Sequence, residues 1–187
     1  AAAGAEGKVK AALAIRRAFR FNQPEEVSAK IQADKVLSEI RVTESGTLSI
    51  ADERIVLATK LELAVAKSGI FSVELGIPAD FDVETLTGKD VSHWDEIKEG
   101  GRGVAVHFTR QVTDATELNV VIGRTEKGIE EKIVVPRVTV RDAAKQAGKL
   151  TVSGERGVRL MVDSHTGVDI RKASEEGIRQ TGVLVFD

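Results

Sequence analysis

Residues 54–77, RIVLATKLELAVAKSGIFSVELGI, contain two runs in which apolar and polar residues alternate. In the first run the apolar side chains fall at odd positions: Ile55, Leu57, Leu61, Leu63 and Val65. Side chains that repeat every second residue share one face of a strand, whereas on a helix they would point in divergent directions. Ser68-Gly69 permits a tight reversal, because glycine adopts backbone angles that other residues avoid. We therefore predict a hairpin of strands 54–67 and 70–77.

The alternation continues as far as residue 109. Pro78 ends the second strand, because proline has no N–H to give to a central ladder. Further short strands are predicted at 81–86 and 102–109, where apolar residues again alternate with polar ones. Between them the sequence TGKDVSHW, residues 87–94, predicts a connection that ends at the single tryptophan, Trp94. We expect Trp94 to pack as a plug over one end of the strands.

Outside this stretch the same period predicts further strands. They include 8–22, 37–42, 118–123, 133–140 and 183–186. Glu44-Ser45-Gly46 has the composition of a turn. Pro136 implies that its strand lies at an edge, a bulge or a crossover between sheets.

Beyond residue 140 the pattern is more varied. Residues 141–147 are predicted to form one helical turn that ends at Gly148, and 150–152 with 158–162 a second hairpin. About a dozen short strands separated by turn signals predict an all-β fold, an antiparallel β-sandwich with at most one or two short helices. We expect a single elongated domain over residues 1–187, with two packed sub-domains, 1–125 and 126–187, as the alternative.

The composition limits the classes of function. Apolar residues make up 42% of the chain and charged residues 30%, which is enough apolar surface for a core. The 27 basic and 29 acidic residues nearly cancel, so we expect no nucleic-acid partner. The absence of cysteine excludes disulfides and Cys-based metal centres. No run of about 18 apolar residues exists, so no membrane span is expected within this chain. Because the chain begins without methionine, we expect a processed protein or a piece of a longer one.

The histidines do not predict a metal site. His93, His107 and His165 fall in three different elements, and none has the i, i+4 spacing from which metal sites are built. His107 has the opposite parity to its apolar neighbours, so it is expected to face outward. Asp163 and Asp169 flank a glycine as in a calcium loop, but their spacing fits no EF-hand. We therefore predict no metal and no cofactor.

Four residues remain as candidates for a ligand or an interface. They are Trp94, His93, Asp163 and Asp169. A sugar-binding face usually offers several Trp and Tyr rings, and the chain has one Trp and no Tyr. The acid pairs 80/82, 95/96 and 130/131 resemble glycosidase carboxylates, but solvated turns contain the same pairs. No Gly-x-Ser-x-Gly elbow is present, so no catalytic residue is predicted.

Residues 68–78, followed by 81–83 and 88–94, resemble β-sandwich modules that are embedded in large bacterial envelope proteins. In such modules a strand ends in a proline, here Pro78, and a Val-x-x-Trp element follows, here Val91 to Trp94. The resemblance implies an extracytoplasmic module that supports protein interactions. It carries no functional residues over to this chain.

We therefore expect a non-catalytic structural or protein-interaction module of a larger bacterial envelope or secreted protein. The alternative is a glycan- or calcium-binding accessory module of a hydrolase. The expected partner is a protein or a second copy of the chain that pairs with an edge strand, because unpaired backbone groups at an edge form a template for pairing. Residues 8–21 and 133–140 are the predicted edges.

Overall fold

The computed structural model describes residues 36–98, 101–125, 132–155, 158–172 and 183–186, together with residues 20, 28, 30–32 and 34. The chain divides into two compact units, Ala1–Lys35 and Val36–Asp187. All the strands described below belong to the second unit. Apart from the exposed Arg20, the predicted strand 8–22 lies outside the described residues.

Eleven β-strands and no helix are found in the described part of the chain. In chain order they are β1 Glu39–Ile50, β2 Arg54–Ala66, β3 Ile70–Gly76, β4 Asp82–Gly88, β5 Val91–Ile97, β6 Gly103–Val112, β7 Ala115–Thr125, β8 Thr139–Val140, β9 Lys145–Gly154, β10 Ile170–Lys172 and β11 Val183–Phe186. The prediction of an all-β sandwich with about a dozen strands is confirmed. None of the described residues forms a helix long and apolar enough to cross a membrane.

The strands form two sheets. The order in the seven-stranded sheet is β10-β11-β9-β1-β2-β7-β4, and the order in the four-stranded sheet is β5-β6-β3-β8. Among the described pairs, β1 and β9 run parallel, and the others run antiparallel. β9 therefore brings residues beyond 125 into the same sheet as β1 and β2.

The core lies where apolar faces of the two sheets meet. In β2, Leu57, Leu61 and Leu63 are fully buried, while Glu62 between them is exposed. β3 and β6 contribute Leu75 and Val106 to the same cluster. Each such side chain stabilises the fold by roughly 1.5–3 kcal/mol through burial. The period-two pattern thus predicts correctly which residues face the core.

The predicted hairpin of 54–67 with 70–77 is wrong. β2 pairs with β1 and β7 in the seven-stranded sheet, whereas β3 pairs with β6 and β8 in the other sheet. The short link between them, in which Lys67 has a φ of 67°, crosses from one sheet to the other. The alternation of apolar and polar residues is the same whether two strands pair in one sheet or face each other across a core. It therefore does not show which of the two arrangements is present.

The predicted turn Glu44-Ser45-Gly46 is also wrong. These residues lie in the middle of β1, which pairs with β2 along its whole length. A Cβ atom at Gly46 would lie 2.9 Å from Leu150 Cδ1 and 3.3 Å from Thr59 Oγ1. Glycine occupies this position because neighbouring side chains fill the space, not because the chain reverses there.

The predicted connection 87–94 is mostly strand. β4 runs to Gly88 and β5 begins at Val91, so the link consists of Lys89 and Asp90, with Asp90 at a φ of 63°. Trp94 lies inside β5 rather than in a loop. Gly and Asp in a short polar run are typical of turns, but here the turn itself consists only of Lys89 and Asp90.

Three further expectations need correction. Of the predicted strand 133–140, only Thr139–Val140 is a strand, and it is the last one in the four-stranded sheet. Residues 141–147 contain a turn and the start of β9 instead of a helical turn. The second predicted hairpin is absent from the described residues, because β9 pairs with β1 and β11 and no strand is present at 158–162.

Candidate functional site

A β-bulge shapes the outer strand of the four-stranded sheet. β5 pairs with β6, with Val91 opposite Phe108 and His93 opposite His107. Between these two pairs β5 advances by two residues and β6 by one, so Ser92 is the extra residue of a bulge.

The bulge reverses the parity of β5. Val91 and Trp94 both pack against the core although they are three residues apart. In a regular strand these two positions would face opposite sides of the sheet. The Val-x-x-Trp spacing in the sequence therefore reflects this bulge. The bulge also directs His93 outward beside His107.

His93, Asp95 and His107 meet on the outer face of the sheet. The two imidazole rings stack with their centroids 4.7 Å apart and their planes inclined by 13°. Asp95 Oδ2 lies 3.6 Å from His93 Nε2 and 3.5 Å from His107 Nε2. One atom from each residue lies within 4.8 Å of the other two. We refer to these three residues as the His–Asp–His cluster.

The cluster is open to solvent and partly oriented by its neighbours. The side chains of His93, Asp95 and His107 are 60%, 66% and 39% exposed. His93 Nδ1 lies 3.1 Å from Ser92 Oγ. When Nδ1–H donates to that hydroxyl, Nε2 is left with a free lone pair directed toward Asp95. Imidazole nitrogen and carboxylate oxygen are ligands of first-row transition metals.

The cluster combines one residue that the sequence singles out with two that it does not. His93 was a candidate, whereas Asp95 counted only as a solvated acid and His107 only as an outward histidine. His107 is half-exposed, which agrees with its predicted outward direction. The sequence could have indicated the cluster through two histidines that face outward from neighbouring strands. That inference requires residues 91–97 to be predicted as a strand.

The other candidates do not join the cluster. Trp94 is half-buried and packs against the core. Asp163 Oδ2 pairs with Lys132 Nζ at 3.1 Å, and both side chains are largely exposed. Asp169 is exposed. Among the described residues, Asp163 and Asp169 belong to no group of three potential metal ligands.

Of the acid pairs considered for hydrolysis, the pair 80/82 is held by arginine side chains. Asp80 pairs with Arg124, and Asp82 pairs with Arg102. Arg124 also lies over the Phe81 ring, with its guanidinium carbon 5.4 Å from the centroid. Asp80, Phe81 and Arg124 border an open cavity of about 360 Å³. Residues 130 and 131 lie outside the described part of the chain.

A buried polar group lies on the inner side of β1. Glu44 is 6% exposed, and its carboxylate accepts hydrogen bonds from Gln146 Nε2 at 2.9 Å and Arg137 Nη2 at 3.2 Å. Thr59 Oγ1 donates to the other oxygen at 3.4 Å. Buried charges persist in proteins when they are paired and hydrogen-bonded in this way. This group connects β1, β2 and β9 and has a structural role.

Comparisons with known proteins show the fold alone. No protein-family model matches the chain, and no curated protein has a significantly similar sequence. An M1 zinc metallopeptidase from Deinococcus radiodurans superposes with a TM-score of 0.50 at 9% identity, over 79% of this chain and 38% of that chain. The chain therefore spans well under half the length of that enzyme.

Two other solved structures superpose less closely. Leukotriene A4 hydrolase from Saccharomyces cerevisiae has a TM-score of 0.44 at 13% identity, over 81% of this chain and 27% of that chain. A non-cellulosomal cohesin from the archaeon Archaeoglobus fulgidus has a TM-score of 0.34 at 15% identity, over 61% of this chain and 91% of that chain.

Proposed function

We propose that this chain is a non-catalytic structural module, folded as a β-sandwich within a larger protein of the bacterial envelope or a secreted protein. The observation that supports the proposal most strongly is one apolar core to which both sheets contribute buried side chains. A shared core of this kind holds the two layers of a domain together. The extracytoplasmic setting is proposed from the resemblance of residues 68–78 and 88–94 to envelope-protein modules.

Charged side chains on the outer face of the seven-stranded sheet form cross-strand pairs. Lys60 of β2 lies 2.8 Å from Glu117 of β7 and 3.0 Å from Glu62 of its own strand. Opposite charges on neighbouring strands favour the pairing of those strands. They also keep the face hydrated, which favours a solvated outer surface over a docking surface.

The described acidic residues favour a structural role over a catalytic one. A carboxylate that acts as nucleophile or base must be free to approach a substrate or a water. Asp80 and Asp82 instead accept hydrogen bonds from Arg124 and Arg102, and these contacts join separate segments of the chain. The chain also has no two histidines at i, i+4, as the helical zinc site of many metallopeptidases requires.

The described edge strands have features that disfavour pairing with a second copy. β4 has a register shift between Val83 and Thr85, and β5 has the bulge at Ser92. β8, the part of the predicted edge 133–140 that is a strand, has two residues. Bulges and short edge strands limit edge-to-edge association. We therefore propose that the described edges do not pair with a second copy of the chain, and residues 8–21 remain the predicted edge that such pairing would use.

Light scattering on the full chain measures its oligomeric state and so tests whether the module is a monomer. We expect a monomer mass for the wild-type chain and for Ile15→Pro, which would block pairing through residues 8–21. A dimer that dissociates in Ile15→Pro would replace the proposal with self-association through that edge.

An activity screen tests the non-catalytic assignment. The full chain is incubated with chromogenic aminoacyl, glycosyl and ester substrates, with and without added zinc. We expect no turnover above buffer. Turnover that Asp80→Asn or Asp82→Asn abolishes in a folded variant would show a hydrolase and overturn the proposal.

A further inference from the structure

We propose that His93, Asp95 and His107 form a binding site for a divalent first-row transition-metal ion, with Zn²⁺ as the expected ion. This inference goes beyond the structural role and does not depend on it. It rests on how a bulge and a cross-strand pair bring three ligand atoms together.

The spacing of the three side chains fits ligands around a common ion. With metal–ligand distances of about 2.1 Å, a tetrahedral site places its ligand atoms about 3.4 Å apart. Asp95 Oδ2 lies 3.6 Å from His93 Nε2 and 3.5 Å from His107 Nε2. All three ligand atoms lie within 4.8 Å of one another. Because the two rings are stacked with nearly parallel planes, binding requires the exposed rings to rotate until both nitrogen lone pairs point at the ion. Water can complete the coordination on the open side, as in zinc sites that have three protein ligands.

Hydrogen bonding alone explains the spacing less well. An N–H donor and a carboxylate normally approach to about 2.7–2.9 Å. Both contacts of Asp95 in the cluster are longer than 3.4 Å. The carboxylate oxygen is therefore held near two ring nitrogens without a close hydrogen bond to either of them. An ion between the three atoms would satisfy all of them at once.

The backbone pre-organises the site. His93 and His107 are direct partners in the β5–β6 register, so the sheet fixes the separation of their Cα atoms. Ser92 Oγ, 3.1 Å from His93 Nδ1, can accept a hydrogen bond from Nδ1–H, and in that tautomer Nε2 is available for a metal. Groups that are already oriented lose less entropy on binding than freely moving surface side chains.

The donor set also determines which ions the site prefers. Two imidazole nitrogens and one carboxylate suit Zn²⁺, Ni²⁺ and Cu²⁺. Ca²⁺ and Mg²⁺ take oxygen ligands, six or more for Ca²⁺, and the cluster offers one carboxylate. We expect binding of Zn²⁺ and Ni²⁺ and no binding of Ca²⁺ at the same concentration.

Calorimetric titration of Zn²⁺ into the chelator-treated full chain tests the proposal. We expect one ion per chain, and a loss of about tenfold or more in affinity for His93→Ala and for His107→Ala. His165→Ala is the matched control, because His165 is an exposed histidine elsewhere in the described chain. It should bind Zn²⁺ as the wild-type chain does. Ca²⁺ should give no heat of binding.

A second measurement keeps the test decisive if a variant is unstable. In the wild-type chain, Zn²⁺ should shift the imidazole nitrogen signals of His93 and His107 in NMR spectra and leave those of His165 unchanged. Three results would each overturn the proposal: no binding at millimolar Zn²⁺, undiminished binding in the His93→Ala/His107→Ala double variant, or loss of binding in His165→Ala.

Discussion

Gln146 Nε2 donates a hydrogen bond to Glu44 Oε2 across 2.9 Å, although 102 positions separate the two residues in the chain. Gln146 also donates to Val138 O and accepts from Val140 N, both at 2.8 Å. One side-chain amide therefore joins β9 to the buried carboxylate of β1 and to the start of the edge strand β8. The seven-stranded and the four-stranded sheet are linked through this residue.

Replacing Gln146 with leucine is predicted to destabilise the fold by about 1–3 kcal/mol, because several buried polar groups lose their partner. The free energy of unfolding is measured by urea titration. Lys145→Ala, at an exposed neighbouring position, is the control and should change it by less than about 0.5 kcal/mol. An unchanged urea midpoint for Gln146→Leu would contradict the proposed role of this residue.

Gly148→Ala is predicted to destabilise the parallel β1–β9 pair by about 1–3 kcal/mol through overpacking. Gly148 lies opposite Glu44, and an added Cβ would fall 2.1 Å from the Glu44 carbonyl oxygen. Because that atom belongs to the backbone, the strands themselves would have to shift. Ala147→Ser on the exposed part of the same strand is the control. Equal thermal midpoints for the two variants would rule out this close approach of the strands.

Deleting Ser92 is predicted to change the free energy of unfolding by less than about 1 kcal/mol, because it converts the bulge into a regular ladder. Without the extra residue, Val91 and Trp94 are two positions apart and both still face the core. Inserting one alanine after His93 is the matched change. It turns Trp94 to the opposite face of the strand and should cost about 2–5 kcal/mol, the range for removing a large apolar side chain from a core. A deletion as destabilising as the insertion would contradict a bulge at this position.

The fold is predicted to lose stability in acid. Lys67 and Arg41 lower the pKa of Glu39, Arg110 lowers that of Asp90, and Lys60 lowers that of Glu117. A carboxyl group with a lower pKa in the folded state stabilises the fold above its unfolded pKa, and this stabilisation disappears as the pH falls through the folded value. The urea midpoint should therefore decrease as the pH falls below about 4.

Asp90→Asn provides the control for this pH dependence. The variant lacks one of the titrating groups, so its urea midpoint should fall less steeply between about pH 4 and pH 2 than that of the wild-type chain. A midpoint that rises as the pH falls through this range would contradict the predicted sign.

The faces of the strands are predictable from the sequence, whereas their partners are not. Leu57, Leu61 and Leu75 were correctly assigned to the core side by their period. Nothing in that period distinguishes a return within one sheet from a crossing to the other, so β2 and β3 were wrongly paired. Ser45 and Gly46 have turn propensities, but long-range pairing with β2 and the hydrogen bond from Gln146 to Glu44 override them.

The candidate site was predictable only in part, for a related reason. His93 and His107 are neighbours because of strand register, and a single sequence does not encode register as a visible spacing. The bulge at Ser92 adds one residue and reverses the parity from which the faces of a strand are predicted. The Val-x-x-Trp spacing is visible in the sequence, but by itself it does not identify a bulge.

Equilibrium urea unfolding, followed by two probes, tests the proposed structural module most directly. Trp94 is the only tryptophan and lies in the four-stranded sheet, so its fluorescence reports on that sheet, while far-ultraviolet circular dichroism reports mainly on the larger one. If both sheets share one core, the two transitions should coincide at a single midpoint. A fluorescence transition that is complete before the dichroism changes would contradict the account.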